Sequence, residues 1–259
     1  MKPPHITILR ILRAGGLVVA LLTVCVVALV LPLAFAGGTE LKFPPTTWSL
    51  APFVRLATDW RAAIGRTLLL AAVVATISAT IAVASAYFAR RMGRARLWMS
   101  SIAILPMFIP PITLALGYLF FFTRLGWFDS LTALAIAEVI LVVPLSFLIA
   151  MIALNQTDAM LEDVAVSFGA SRWHAFVQVT LPDMRGALGA AWILAFVATL
   201  DEPVMSVFLA DAHARTVARE IWDGLRYSLD PAAAAAAATF VVVAVFAGIV
   251  AFRAASLDR

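Results

Sequence analysis

Three acidic residues lie inside otherwise apolar stretches of the chain: Glu138, Asp201 and Glu202. Ionisable side chains are costly there, so they usually face a bundle interior, a cavity or a partner. Glu138 and Glu202 each lie roughly 10 Å from the outer end of their stretch, so we expect one shared layer. With no basic residue inside either stretch, this layer favours a cation or an amine. The alternative is that Asp201-Glu202-Pro203 marks a helix end or an interhelical hydrogen bond.

Residue patterns of enzymes are missing from the sequence. The three histidines, His5, His174 and His213, are scattered over a tail and two loops, which disfavours a metal site or a Ser/His pair. Cys25 is the single cysteine and cannot form an internal disulfide. The sequence has no Gly-rich nucleotide-binding loop, so we expect that this chain binds no cofactor and that any ATP is hydrolysed by another polypeptide.

The stretch Leu161 to Pro182 is a long polar interruption between apolar runs. Val164, Phe168, Trp173, Phe176 and Val177 recur at helical spacing, while Glu162, Asp163, Arg172 and His174 point elsewhere. Gly169 separates the two halves and predicts an elbow between two short helices. The pattern is typical of a docking site for a soluble partner; for Asp163 alone, the alternative is a solvated surface charge.

Composition places these residues in a membrane protein. The chain has 259 residues, 63% hydrophobic and 13% charged, with a mean hydropathy of +1.00, which excludes an ordinary soluble globule. A bilayer-spanning helix needs roughly 20 apolar residues. Six runs qualify, at about 15–36, 65–89, 97–122, 131–154, 186–209 and 232–252. We therefore predict an all-α integral membrane protein, with residues 1–259 as a single transmembrane domain.

The first run has an alternative interpretation as a signal peptide, because basic residues precede it and Ala34-Phe35-Ala36 resembles a cleavage site. Its length favours an uncleaved helix. The net charge of +4 reflects topology, and no basic-aromatic patch suggests a nucleic-acid partner.

Arginines set the expected orientation. Arg90, Arg91, Arg94 and Arg96 crowd one short turn, whereas Arg124 in the next turn is balanced by Asp129. The arginine-rich turn is therefore expected in the cytoplasm, with both termini and the 155–185 loop.

Prolines and one cap mark the expected helix irregularities. Pro106, Pro110 and Pro111 should interrupt the third helix, and Pro144 the fourth. These kinks either are filled by neighbouring helices or widen a central pathway. Asp230 before Pro231 should cap the last helix.

From about Ile64 to Gly248 the chain resembles the permease family of spermidine/putrescine-type ABC importers. The order acidic-x-Ala-x3-Gly-Ala-Ser-x4-Phe-x2-Val-x-Leu-Pro resembles the family's EAA loop, with Asp163 at the Glu position and Gly169 six residues on. Residues 196–202, Phe-Val-Ala-Thr-Leu-Asp-Glu, follow in family order. The resemblance implies that the coupling loop (residues 155–185) docks into an ATPase subunit. Its expected docking residues are Glu162, Asp163, Val164, Ala165, Phe168, Gly169, Ala170, Trp173, Phe176, Leu181 and Pro182.

The resemblance also implies the type I importer fold and its partners. These are two ATPase subunits that bind ATP and magnesium, a second permease expected to be a paralogue, and an extracytoplasmic solute-binding protein. Such a complex lies in the bacterial inner membrane. Glu138, Asp201 and Glu202 would line the substrate pathway, which favours a polyamine or another amine-bearing solute. Asp163 replaces the family's Glu and has a shorter reach, and Glu138 stands where many relatives carry histidine.

Under this reading, ATP closes the ATPase dimer, residues 162–177 move with it, and the helices transmit the movement to the outer gate. Two other classes compete: half of a secondary transporter, whose acid layer would bind protons or sodium, and an intramembrane enzyme, which the missing catalytic clusters disfavour.

Overall fold

The computed structural model describes residues 4–38, 41–93, 95–228 and 230–256. Within these ranges regular structure is helical, apart from one backbone bridge between Ala36 and Trp48. In chain order the helices are α1 (Pro4–Ala34), α2 (Ala51–Asp59), α3 (Arg61–Arg91), α4 (Ala95–Ile104), α5 (Pro111–Arg124), α6 (Leu131–Gln156), α7 (Ala159–Ser167), α8 (Arg172–Ala175), α9 (Leu181–Asp183), α10 (Arg185–Leu200), α11 (Pro203–Leu209), α12 (Val217–Asp223) and α13 (Pro231–Ser256). A 3₁₀ turn covers Leu105–Phe108, and wider π-type turns cover Phe176–Thr180 and Gly224–Ser228.

Three described helices are long and apolar enough to cross a bilayer alone: Arg61–Arg91, Leu131–Gln156 and Pro231–Arg253. Two bent pairs, Ala95–Phe108 with Pro111–Arg124 and Arg172–Asp183 with Arg185–Leu200, raise the number to five if each pair is one span. Helix α1 covers the first apolar run. The predicted all-helical membrane architecture is confirmed, and the count of six spanning helices stays a prediction.

Proline has different effects in the third and fourth predicted helices. The third is broken at Ile109 and Pro110, where the two halves meet at 93°. In contrast, α6 continues through Pro144, which is buried inside it, so the predicted interruption there is wrong. A proline removes only one backbone donor, and a packed membrane helix tolerates that loss. The fifth predicted helix is divided at Asp201 and Glu202 into α10 and α11.

The chain divides into two compact units, residues 1–60 with 223–241 and residues 61–222 with 242–259. The assignment of residues 1–259 to a single transmembrane domain stays a prediction. In the larger unit α3, α6 and α10 contact one another, and α11 contacts α5 and α6. Buried alanines on α3, including Ala71, Ala75 and Ala82, let neighbouring backbones approach closely.

The smaller unit contains α1, α2 and the first turns of α13. The Asp230 carboxylate accepts a 2.9 Å hydrogen bond from the Ala232 amide, which confirms the predicted cap. Asp230 also pairs with Arg55 at 3.3 Å.

Candidate functional site

The coupling loop has the expected two-helix form with a glycine elbow. Asp158 caps α7 by accepting a 2.8 Å hydrogen bond from the Met160 amide. Ser171 caps α8 through the His174 amide at 3.2 Å. Between them Gly169 has a φ of +95°, a region that favours glycine. The predicted elbow between two short helices is confirmed, and after α8 the helical path continues to Asp183.

The surface of the coupling loop presents large apolar side chains. Phe168 is 88% exposed and Trp173 is 69% exposed, and both flank the elbow. Phe176 is buried, so the five apolar residues that share helical spacing do not form one buried stripe. Asp163 is also on the surface, where its carboxylate pairs with Arg172 at 3.1 Å. Exposed aromatic side chains beside a charge are suited to a protein interface.

Glu162 lies in the interior and is only 2% exposed. Its Oε1 accepts hydrogen bonds from the Tyr87 hydroxyl at 2.9 Å and from Arg91. Its Oε2 accepts from Arg90 at 3.0 Å and from the Thr180 hydroxyl at 3.1 Å. Glu162 was expected among the docking residues, with its side chain away from the apolar face, but its buried side chain is not available to a partner. Its charge is buried because two arginines from α3 compensate it.

Contacts around Glu162 tie the coupling loop to the transmembrane helices. Arg90 also donates at 3.0 Å to the Leu154 carbonyl and to the Thr157 hydroxyl, at the end of α6. The Tyr87 ring lies 4.1 Å from the Phe176 ring, measured between centroids. Both rings belong to a buried apolar cluster with Phe147.

The three acids in the membrane stretches have different surroundings. Glu138 is completely buried, and neither of its carboxyl oxygens has a hydrogen-bond partner among the described residues. Glu202 is the N-cap of α11 and accepts hydrogen bonds from the Val204 amide at 3.1 Å and the Met205 amide at 2.6 Å. Glu138 and Glu202 lie within electrostatic range of each other, and Asp201 directly precedes Glu202 in the chain. Asp201 is exposed, so it is the accessible member of this acidic cluster (Glu138, Asp201 and Glu202).

A second carboxylate joins two loops at the other end of the larger unit. Asp129 has a φ of +57° and accepts hydrogen bonds from the amides of Asp211 at 2.7 Å, His213 at 2.9 Å and Ala214 at 3.0 Å. The His213 ring lies at 2.8 Å. Burial raises the pKa of Asp129, but the hydrogen bonds from these amides outweigh it and hold the pKa well below its usual range.

Several of these residues were not identified from the sequence. Arg90 and Arg91 were interpreted only as markers of topology, and Tyr87 and Thr180 were not considered. A buried acid in a loop needs basic partners, and two arginines at the adjacent helix end were the available signal. Asp129 was considered only as the counter-charge of Arg124. Within the described ranges, no group of three or more His, Cys, Asp or Glu side chains could hold a metal.

Comparisons with known proteins agree with this geometry. The family described as binding-protein-dependent transport system inner membrane component matches residues 78–257. The putrescine transport system permease protein PotI of Escherichia coli K12 is 29% identical over 195 residues, which cover 71% of this chain and 69% of that protein. The trehalose/maltose transport system permease protein MalG of Thermococcus litoralis is 28% identical over 189 residues, covering 71% of this chain and 67% of that protein.

The same fold occurs in a solved structure of a bacterial ABC transporter involved in the import of the acidic polysaccharide alginate. The match has a TM-score of 0.65 with 16% sequence identity and covers 98% of both chains.

Proposed function

The chain belongs to the family of binding-protein-dependent transport system inner membrane components, and from this premise we propose that it forms half of the translocation pathway of an ATP-driven importer. It performs no covalent chemistry itself in this scheme. The other half comes from a second permease, which we expect to be a paralogue. Two ATPase subunits hold ATP and magnesium, and a solute-binding protein delivers the solute from outside.

We propose that the coupling loop is where an ATPase subunit docks. The observation that supports this proposal is the pair of exposed aromatic side chains, Phe168 and Trp173, beside two capped helices. A large apolar side chain on a polar loop gains free energy when a partner removes it from water. Asp163 lies beside them, and its charge helps to fix how the ATPase subunit aligns on the loop. In this arrangement the arginine-rich turn and both chain termini are cytoplasmic.

We propose a cationic or amine-bearing solute, such as a polyamine. Its N–H groups need acceptors, and the acidic cluster supplies carboxyl oxygens beside the α10–α11 break. No lysine or arginine occurs in residues 131–156 or 186–209 to compete with them. Asp201 is exposed and meets the solute first, while Glu138 acts through the low-dielectric interior, where charge is poorly screened. The relatives are named for the transport of putrescine and of trehalose/maltose, so the choice of solute depends on this cluster and not on the relatives.

The test is reconstitution of this chain with its ATPase, its second permease and its solute-binding protein. The proposal requires that a tagged chain co-purifies with the ATPase subunit and that vesicles loaded with ATP accumulate labelled putrescine. Maltose and an acidic oligosaccharide serve as competing solutes. A chain that purifies without any ATPase contradicts the importer assignment, and accumulation of the acidic sugar alone contradicts the solute.

A further inference from the structure

Glu162 has both carboxyl oxygens fully used inside one chain. Each oxygen accepts two hydrogen bonds, from Tyr87 and Arg91 on one side and from Arg90 and Thr180 on the other. A docking residue would keep acceptors free for its partner. The contacts of Glu162 therefore serve the permease itself.

The four partners come from two separate parts of the chain. Tyr87, Arg90 and Arg91 occupy the last turn of α3, and residues three and four apart share one face of a helix. Thr180 lies beyond the elbow, on the π-type turn that precedes α9. Glu162, on α7, thus joins the first half of the coupling loop, its second half and the end of α3 at one point.

The apolar contacts of the coupling loop fix its position less tightly than the hydrogen bonds of Glu162 do. Phe176 and Leu181 pack against the cluster around Tyr87, whereas Phe168 and Trp173 are largely exposed, although the Trp173 ring touches that of Phe176. Buried ion pairs add little stability relative to apolar residues, and their best attested role is to select one arrangement. A charged group with four directional partners allows one orientation of α7 relative to α3.

We propose that Glu162 is a positioning residue that makes the coupling loop and α3 move as one body. The inference rests on the proposed function, in which the ATPase displaces the loop. When the loop is displaced, the bonds to Arg90 and Arg91 carry the displacement into α3, which contacts α6 and α10. Without these bonds the loop rotates about its apolar contacts, and α3 does not move with it.

The decisive quantity is the number of solute molecules taken up per ATP hydrolysed by the assembled importer. In Glu162→Gln the side chain keeps its shape and loses its charge. We expect this variant to co-purify with the ATPase and to hydrolyse ATP, with a ratio lowered about tenfold, within the usual range of coupling between sites. The matched control is Arg96→Gln. Arg96 belongs to the arginine-rich turn after α3, and its side chain contacts Asn155 and not Glu162.

Tyr87→Phe provides a second variant that keeps the ring against Phe176 and removes one hydroxyl donor to Glu162. We expect a smaller drop in the same ratio. If Glu162→Gln fails to assemble, Tyr87→Phe decides: a lowered ratio supports the proposal, and an unchanged ratio overturns it. A wild-type ratio in both variants also overturns it. Failure of the wild-type chain to bind an ATPase contradicts the proposed function instead.

Discussion

Glu162 and Asp163 are neighbours in the chain and face opposite environments. Glu162 is buried with four side-chain partners, whereas the Asp163 side chain is 67% exposed and contacts only Arg172 among the pairs seen in the described residues. One turn of α7 therefore presents one acid to its own permease and the next to solvent. The two acids should respond differently to substitution, because the first holds the loop in place and the second is available to a partner.

We expect Gly169→Val to weaken docking of the ATPase. The φ of +95° costs a residue with a Cβ about 1–2 kcal/mol, although no atom within 4 Å would touch the added Cβ. If that free energy must be offset during docking, affinity for the ATPase falls about tenfold. Co-purification at graded ATPase concentration measures it.

Gly65→Val is the matched control, since Gly65 lies within α3, has open space around it and shows no positive φ. Equal ATPase binding by the two valine variants would show that the backbone conformation at Gly169 does not affect docking.

Charge reversal at Asp163 should lower association with the ATPase, while Asp163→Glu should be tolerated. Asp163→Lys places two like charges together and replaces an attractive charge at the interface. The pair with Arg172 is exposed, and such pairs contribute about 0–1 kcal/mol, so the fold should survive. Arg172→Ala separates loss of the intrachain ion pair from loss of the acid itself, because it breaks the same pair and keeps Asp163. If Arg172→Ala and Asp163→Lys weaken binding alike, the intrachain pair matters and Asp163 contacts no partner.

Neutralising the acidic cluster should impair uptake of a cationic solute. Asp201→Asn is the cleanest variant because Asp201 is exposed, whereas Glu202→Gln also removes an acceptor that caps α11. The attraction between one such acid and a cationic solute is worth about 1 kcal/mol, so its loss should raise the half-saturating solute concentration about fivefold. Glu138→Gln is measured in parallel, and Asp59→Asn in α2 controls for net charge. Unchanged uptake in all three cluster variants, with intact ATPase binding, would show that these acids serve helix contacts alone.

The Asp129 contacts should stabilise the larger unit at neutral pH. Asparagine tolerates the positive φ but replaces one acceptor oxygen by a donor, so Asp129→Asn should lower the free energy of unfolding by about 2 kcal/mol. Because the folded pKa lies below the ordinary value of 3.8, the contribution is complete above that value and is lost as the pH falls through the folded pKa. Thermal unfolding should show a constant gap between wild type and variant from about pH 8 to about pH 5. A gap that changes between about pH 8 and about pH 5 would contradict the assignment to the Asp129 carboxylate.

Much of the architecture follows from local sequence. Apolar runs located the helices, Asp230 carries its expected cap, and Gly169 forms the expected elbow, while the shared layer of the three membrane acids stays a prediction. These features depend on residues that are close in sequence or on helix length. A local pattern is therefore enough to predict them.

The failures concern contacts between distant residues. Glu162 was assigned to the surface because helical spacing does not reveal that Arg90 and Arg91, about seventy positions earlier, lie beside it. Pro144 was predicted to break α6, but its neighbours in space sustain the helix. The division at Glu202 confirms the alternative that Asp201-Glu202-Pro203 marks a helix end, and the two bonds from backbone amides to Glu202 cap α11.

The bonds of Glu162 have a consequence for building chimaeras between importers. An engineer who wants this permease to accept a different ATPase would exchange the coupling loop and leave the membrane helices untouched. Because Glu162 is satisfied by Tyr87, Arg90 and Arg91, a transplanted loop arrives without its anchoring groups unless the last turn of α3 travels with it. The smallest transferable module is therefore discontinuous, with residues 87–91 and 155–185 inherited together.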